Sequence, residues 1–422
     1  MKKFVHSLND FERREFLAGA ARISLGVSIL PMLGSAAAQE KGSPATAKKV
    51  LFLYMDGGMS HLDTFDPKTR NEVKGRSTPI ATNADGMQIS SKLPNLAKHG
   101  NKLAIVRSLS TKTGDHAGGR YLMHTAYTRR PGVDHPQLGS WAQHFLGRPS
   151  KSMPASVIVA GGNPGPGFLP PDHSPFPIGD PNKGIRDYLP KVGKPRFNHR
   201  VRLAQKFGKV FEEKFPHDDV AAYAQFFDET VKFFDDKTVN AFDVNKEPAE
   251  MKNRYGNSRF GRGLLLARRL LQNDVRFVEV RLTGWDRMHG GLDAGDQMTA
   301  ALDSPMAALL GDLQSKGMLK DTMVVVATEF GRTPKISQRG GRDHHPRAFS
   351  AVLAGGGVRG GQVIGQTDVK GIGVKEDKFE PKDLHATIAK ALGLPLEKRI
   401  HGAGGRPFFV ANQGTPIDQA LG

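Results

Sequence analysis

Residues 50–58 read Val50-Leu51-Phe52-Leu53-Tyr54-Met55-Asp56-Gly57-Gly58, an almost wholly apolar run that ends on a carboxylate and two glycines. An apolar run without polar alternation marks a strand buried on both faces, as in a parallel sheet. The glycine pair after it permits a tight turn. The same pattern recurs along the chain. A strand expected over 276–281 leads into Gly284-Trp285-Asp286-Arg287-Met288-His289-Gly290-Gly291, and an apolar run over 323–328 leads into Glu329-Phe330-Gly331-Arg332-Thr333-Pro334. Gly341-Arg342-Asp343-His344-His345-Pro346 lies just before a further run at 349–354. Strand ends at the carboxyl edge of an α/β sheet converge on one crevice, so carboxylates and imidazoles from distant segments can share a cation there.

Between these runs the pattern changes to helical spacing. Further strands are expected at 103–106 and 155–160. Helices are expected from near Gly118, carrying Arg120, Tyr121, Leu122 and His124, and at 138–145, 198–214, 218–235, 258–272, 296–316 and 381–392. Alternating helices and apolar strands imply an α/β fold, a mixed and mainly parallel sheet sandwiched between helices. Residues 161–184 hold too much Gly and Pro for regular structure, and read as a lid or binding loop or as a mobile insertion. Gly355 to Gly361 has the glycine density of a phosphate loop, but no helix is expected after it, so it reads as a turn. One domain over 49–412, followed by a tail at 413–422, accounts for the chain.

The absence of cysteine excludes disulfides, thiolate metal sites and cysteine nucleophiles, leaving O and N as metal ligands. The formal charge of +18 favours anionic partners, unless the chain is simply a generically basic exported protein. Nucleic-acid binding is not expected, because the basic residues of the 198–272 helices read as solvated faces. Arg13-Arg14-Glu15-Phe16-Leu17, a mildly apolar stretch from Ala18 to Leu33 and Ser35-Ala36-Ala37-Ala38 form a twin-arginine-type signal over 1–38, with a polar linker at 39–48. The mature chain is then expected in the periplasm or otherwise exported, without a membrane span.

Asp56 by itself is an ordinary turn former or cap, yet it closes the most apolar strand. Asp286 and His289 in one glycine-flanked turn can chelate one ion, and imidazole with carboxylate oxygen suits Zn, Mn or Fe. One of His344 and His345 is expected to join them, with Asp343 as ligand or as orienter of an imidazole. Glu329 is either a ligand or an ion-pair partner of Arg332. Thr113-Gly114-Asp115-His116-Ala117-Gly118-Gly119-Arg120 opens a helix, where glycines and an arginine suit an anion, and His116 reads as nucleophile, acid, ligand or cap.

Taken together, MDGGMSHLDTFDPK, GWDRMHGG, TEFGRTP, GRDHHP, LAGGGVRGGQVIGQTD and DLHATIAKALGLP resemble the exported proteins grouped as domain of unknown function 1501, over roughly residues 48–410. Those are sulfatase-like relatives within the alkaline phosphatase superfamily. The resemblance implies a largely parallel sheet between helices with two metal positions at its carboxyl edge. Asp286, His289 and His344 or His345 then match the ligands of one metal. Asp56 and Glu329 match ligands of the second, where Phe330 stands in place of a histidine. The segment in which sulfatases carry a Cys or Ser nucleophile is matched by His116 to Arg120, so Arg120 is kept and formylglycine chemistry is not expected. Thr111, Thr113 and Ser60 are the nearby hydroxyls.

The reading is an exported hydrolase of phosphate or sulfate esters, acting on an anionic small molecule or polysaccharide with one or two divalent ions (Zn, Mn, Fe or Ca). Its expected ligands are Asp56, Asp286, His289, Glu329 and His344 or His345. His116 would serve as nucleophile or general acid, and Arg120 and Arg332 would stabilise the anionic transition state. The alternative is a non-catalytic binder of anionic glycans on the same fold. The sequence leaves the oligomeric state open.

Overall fold

The computed structural model describes residues 44–150, 152–162, 165–185, 192–215 and 237–422. The expected signal segment, residues 39–43 of the linker and the helix expected at 218–235 lie outside these. The described residues divide into two compact units, 44–184 with 241–422, and those of 185–240. The domain expected over 49–412 is therefore interrupted by residues 185–240.

The larger unit is built on eight strands: β1 (Lys49–Asp56), β2 (Leu103–Leu109), β3 (Ser156–Val159), β4 (Phe176–Ile178), β5 (Phe277–Thr283), β6 (Thr322–Ala327), β7 (Phe349–Ala354) and β8 (Gln362–Ile364). Their order across the sheet is β8-β2-β7-β6-β1-β5-β3-β4. All run parallel except β7, which is antiparallel to both its neighbours. Apolar β1 takes a central place, with partners on both edges and both faces covered. Val50, Phe52 and Tyr54 join the core that contains Trp141 and Ile388. Leu51, Leu53 and Met55 alternate to the opposite face and are equally buried.

The helices are α1 (His116–Thr125), α2 (Leu138–Leu146), α3 (Lys194–Lys214), α4 (Arg259–Gln272), α5 (Leu292–Ser315) and α6 (Pro381–Ala391). Local capping fixes their starts: the Asp115 side chain accepts from Gly118 N at 2.7 Å, and Ser258 Oγ accepts from Gly261 N at 3.0 Å. At α6 the Glu380 and Asp383 side chains exchange bonds with each other's backbone amides. Helix α3 belongs to the smaller unit; Val201 is its buried hydrophobic residue, and its sequence is strongly basic.

Two expectations are corrected. The Gly/Pro-rich segment 161–184 is not wholly irregular, because Phe176-Pro177-Ile178 forms the edge strand β4; an edge tolerates proline, which lacks the N–H that a further partner would need. Residues 413–422 are not a free tail. Ile417 and Ala420 are fully buried, and Gly422 N donates to Gly357 O at 2.8 Å. Apolar side chains spaced along a short polar stretch carried that information, but no periodicity announces it.

Ile417→Ala should lower unfolding stability by about 2–5 kcal/mol, read from a denaturant midpoint. A solvent-exposed tail would give a change within about 0.5 kcal/mol. A second expectation concerns His385, whose buried ring donates from Nε2 to Met123 O at 2.7 Å and ties α6 to α1. Burial pushes its pKa from 6.5 down to about 4, so the native state binds fewer protons than the unfolded chain. Its contribution is complete above pH 6.5 and is lost as pH falls toward 4, by up to about 3 kcal/mol. His385→Gln should flatten the stability profile in that window by close to one proton.

Candidate metal centre

Four segments meet beyond the carboxyl ends of β1, β5 and β6. The turn Trp285–Gly290 follows β5 and carries Asp286 and His289. The ribbon formed by Gly331–Arg332 and His344–His345 follows β6, and α1 supplies His116 at its first turn. Close backbone approach is what allows this meeting. Gly57 has φ +117°, and a Cβ there would lie 2.4 Å from Asp286 N. A Cβ on Gly119 would lie 3.1 Å from Glu329 Cβ, so the helix-weakening glycine in α1 brings that helix down onto β6.

Glu329 is fully buried and holds the arrangement together. Its Oε2 accepts from the Tyr54 hydroxyl at 2.8 Å, and its Oε1 accepts from Gly57 N and from His116 Nδ1, both at 2.9 Å. Burial pushes its pKa up, but the bonds from His116, the backbone and Tyr54 outweigh this and hold it below the usual value. Tyr54, pushed far up by burial and by the Glu329 charge, remains a donor.

The bonds around the imidazoles place a proton on each Nδ1. A carboxylate or carbonyl can only accept, so His116 Nδ1 carries a proton toward Glu329. For the same reason His344 Nδ1 carries one toward Gly114 O at 2.8 Å, and His289 Nδ1 one toward Asp343 at 2.9 Å. All three rings therefore turn Nε2 inward, and the three nitrogens lie 3.0, 3.1 and 3.7 Å from the single atom Asp286 Oδ1 for His116, His344 and His289. His116 Nε2 is close to that oxygen without hydrogen-bond alignment. The ligand atoms of His116, Asp286 and His344 lie within 4.8 Å of one another. By the same rule the His344 Nε2 bond to Asp286 Oδ1 at 3.1 Å calls for a second proton on that ring, and a cation held among these imidazole and carboxylate atoms would take its place. Asp343 takes the orienting place on His289, Glu329 on His116.

The side chains of the group are a quarter to a half exposed, Asp286 the most at 53%. Burial raises the Asp286 pKa, but Arg332 and His344, which bond to it, and the nearby His116 reverse this and push it far below the carboxylate range. The His116 pKa is raised, first by its bond to Glu329, against burial and with help from Asp286. Without a metal a proton fills part of the same role.

Several expected site residues stand elsewhere. His345 alternates with His344 along the ribbon and so points away; its Nε2 donates to Ile372 O at 2.7 Å, and its ring stacks near His61 at 6.2 Å. Arg332 is fully buried and does not face a substrate. Its Nε donates to Gly58 O, one terminal nitrogen to Arg342 O, and the other to Gly57 O and Asp286 Oδ1. It braces the turn after β1 against Asp286. The carboxylate of Asp56 is gripped by Arg120 through Nε at 3.0 Å and a terminal nitrogen at 2.7 Å, outside the imidazole cluster. Ser60 is fully buried, with its hydroxyl donating to Asp63 at 2.5 Å, and so does not face solvent as a nucleophile would. Phe330, in the place of a metal-binding histidine, packs under His344 and His116 with ring centroids at 4.6 and 5.1 Å.

Sequence reading missed Tyr54 and the Gly114 carbonyl. Tyr54 was open to detection as the one hydroxyl in an apolar strand, two residues before Asp56; a backbone carbonyl leaves no trace in residue types. It also missed the brace at Arg342, which is buried and donates from Nε to Asp63 at 2.8 Å and from a terminal nitrogen to Val73 O at 2.7 Å.

Fold and site together define an α/β protein whose large, mainly parallel sheet carries an imidazole–carboxylate cluster at its carboxyl edge. The chain belongs to the family described as protein of unknown function (DUF1501), which matches residues 47–421. A comparison with curated proteins returns no match. Among solved structures, the lipoteichoic acid synthase LtaP from Listeria monocytogenes is similar at 10% identity and TM-score 0.38, covering 96% of this chain and 82% of that one. The PsFucS1 sulfatase from Pseudoalteromonas sp. is similar at 12% identity and TM-score 0.38, over 89% and 70%. The alkaline phosphatase from the Antarctic bacterium TAB5 is similar at 11% identity and TM-score 0.34, over 78% and 96%.

Glu329→Ala should leave the Tyr54 hydroxyl, Gly57 N–H and His116 without their acceptor, and cost about 2–5 kcal/mol in a chemical denaturation experiment. A loss below about 0.5 kcal/mol would show that the carboxylate does not hold these elements together.

Proposed function

We propose that this protein is an exported metal-dependent hydrolase of phosphate or sulfate esters with one divalent-ion centre, held by His116, Asp286, His289 and His344. The observation that carries the reading is the turning of three Nε2 atoms, each ring tied down through Nδ1, toward one oxygen of Asp286. His116 is then a ligand and not a nucleophile, and water is the attacking group. His116, Asp286, His289 and His344 would hold a divalent ion, which would supply polarisation of the ester and neutralisation of developing charge.

The chain's own groups supply the rest. Arg120 is 41% exposed and anchored by Asp56 through one edge of its guanidinium, so its remaining N–H groups are free to grip an anionic ester oxygen. The first turn of α1 presents the positive end of its dipole beside His116. Glu329 and Asp343 keep the imidazole lone pairs aimed inward, which lowers the reorganisation needed when the ion binds. Asp56 and Glu329 are already bonded to Arg120, Tyr54, Gly57 and His116, and this favours one metal position over two.

The same saturation of Asp56 and Glu329 supports the second reading, a binder of anionic glycans that has given up turnover. Such a binder would retain sulfated polysaccharide after chelation and turn over no aryl phosphate, phosphodiester or sulfate.

Asp286→Asn is the sharper test variant, because its amide oxygen can still accept from buried Arg332 while the charge is lost. Elemental analysis of chelator-free wild-type protein should show near-stoichiometric Zn, Mn, Fe or Ca. The variant should lose that metal and at least about a hundredfold of ester hydrolysis. Undiminished turnover or unchanged metal content in the variant contradicts the assignment.

A further inference from the structure

Helix α3 carries an exposed apolar stripe. Leu203, Phe207 and Val210 are 40%, 68% and 56% exposed, and they account for three of the six exposed large hydrophobics among the described residues. They are spaced by four and three, so they share one face of the helix. Leaving a phenylalanine two-thirds exposed is costly unless a surface covers it in use.

The charge on the helix identifies that surface. Its sequence, Lys194 to Lys214, holds seven Lys or Arg and two Glu. Helical spacing places four of the basic residues on the rows of the stripe itself. Arg196 lies seven residues before Leu203 and Arg200 three before it. Lys206 lies four before Val210 and Lys214 four after it. Long cationic side chains beside a narrow apolar ridge match a plane that is anionic outside and apolar beneath, and their methylene stems follow the apolar side chains inward. An acidic protein groove would match the charge but would need a complementary shape for three separate side chains. No helix of the described residues is long and apolar enough to cross a membrane. The helix would therefore lie on the surface and not span it.

We infer that Lys194–Lys214 is an interfacial helix that docks the protein on anionic lipid, with Leu203, Phe207 and Val210 entering the headgroup boundary and Arg196, Arg200, Lys206 and Lys214 neutralising the headgroups. This function is independent of the ester-hydrolysis reading.

The test is vesicle co-sedimentation of the full mature chain, with phosphatidylcholine vesicles and with phosphatidylcholine–phosphatidylglycerol vesicles. Binding is expected only to the anionic vesicles, and Phe207→Glu should weaken it about tenfold or more. Because a basic protein adheres to any anionic surface, Val369→Glu is the control. It makes the same charge change at a residue 65% exposed in a turn outside α3, and it should leave binding within about twofold. Unchanged melting temperatures establish that both variants fold. Failure to bind anionic vesicles, or equal losses in the two variants, overturns the inference. So does a wild-type dimer that Phe207→Glu converts to monomer with no change in vesicle binding, since the stripe would then be covered by a second copy.

Discussion

A single buried carboxylate sets the geometry of the carboxyl edge. Glu329 is out of solvent, and a charge in that position is tolerable only with its partners in place. Those partners come from separate elements: Tyr54 within β1, Gly57 just past its end, and His116 at the start of α1. Satisfying the carboxylate therefore fixes where α1 begins relative to two central strands. Arg332, three residues later, performs the complementary task with a buried positive charge, binding the backbone of Gly57 and Gly58 and one oxygen of Asp286. The two buried charges make the site a consequence of packing and not of mobile surface side chains.

From this frame follows the orientation of the imidazoles. Acceptor-only partners place a proton on Nδ1 of each ring, and alternation along the ribbon sends His344 inward and His345 outward. The cluster is open, and Arg120 stands beside it on its Asp56 anchor.

Much of this was legible in the sequence. Apolar runs without alternation announced β1, β6 and β7, while β5 carries Glu279 and Arg281 among its apolar residues; past the ends of β5 and β6, Asp286 and Glu329 both reach His116. Short elements defeated periodicity, since β4 has three residues, one of them proline, and β8 has three with mixed burial. The choice between His344 and His345 depended on ribbon register, which residue types do not encode. The roles of Glu329 and Arg332 turned on burial. A carboxylate at a strand end reads as a ligand, while the same carboxylate sealed beneath a glycine-bearing helix turn becomes the scaffold for one. His116 was seen as chemically active, but its ligand geometry required knowing that its Nδ1 was already engaged.

The central claim is that one cation sits among three Nε2 atoms and one carboxylate oxygen. Crystals of the chelator-free protein, measured on both sides of the absorption edge of whichever metal it carries, test this directly. The account predicts one anomalous-difference peak within bonding distance of His116, His289, His344 and Asp286. A peak between Asp56 and Glu329, or metal-bearing protein with no peak at the imidazole cluster, would contradict it.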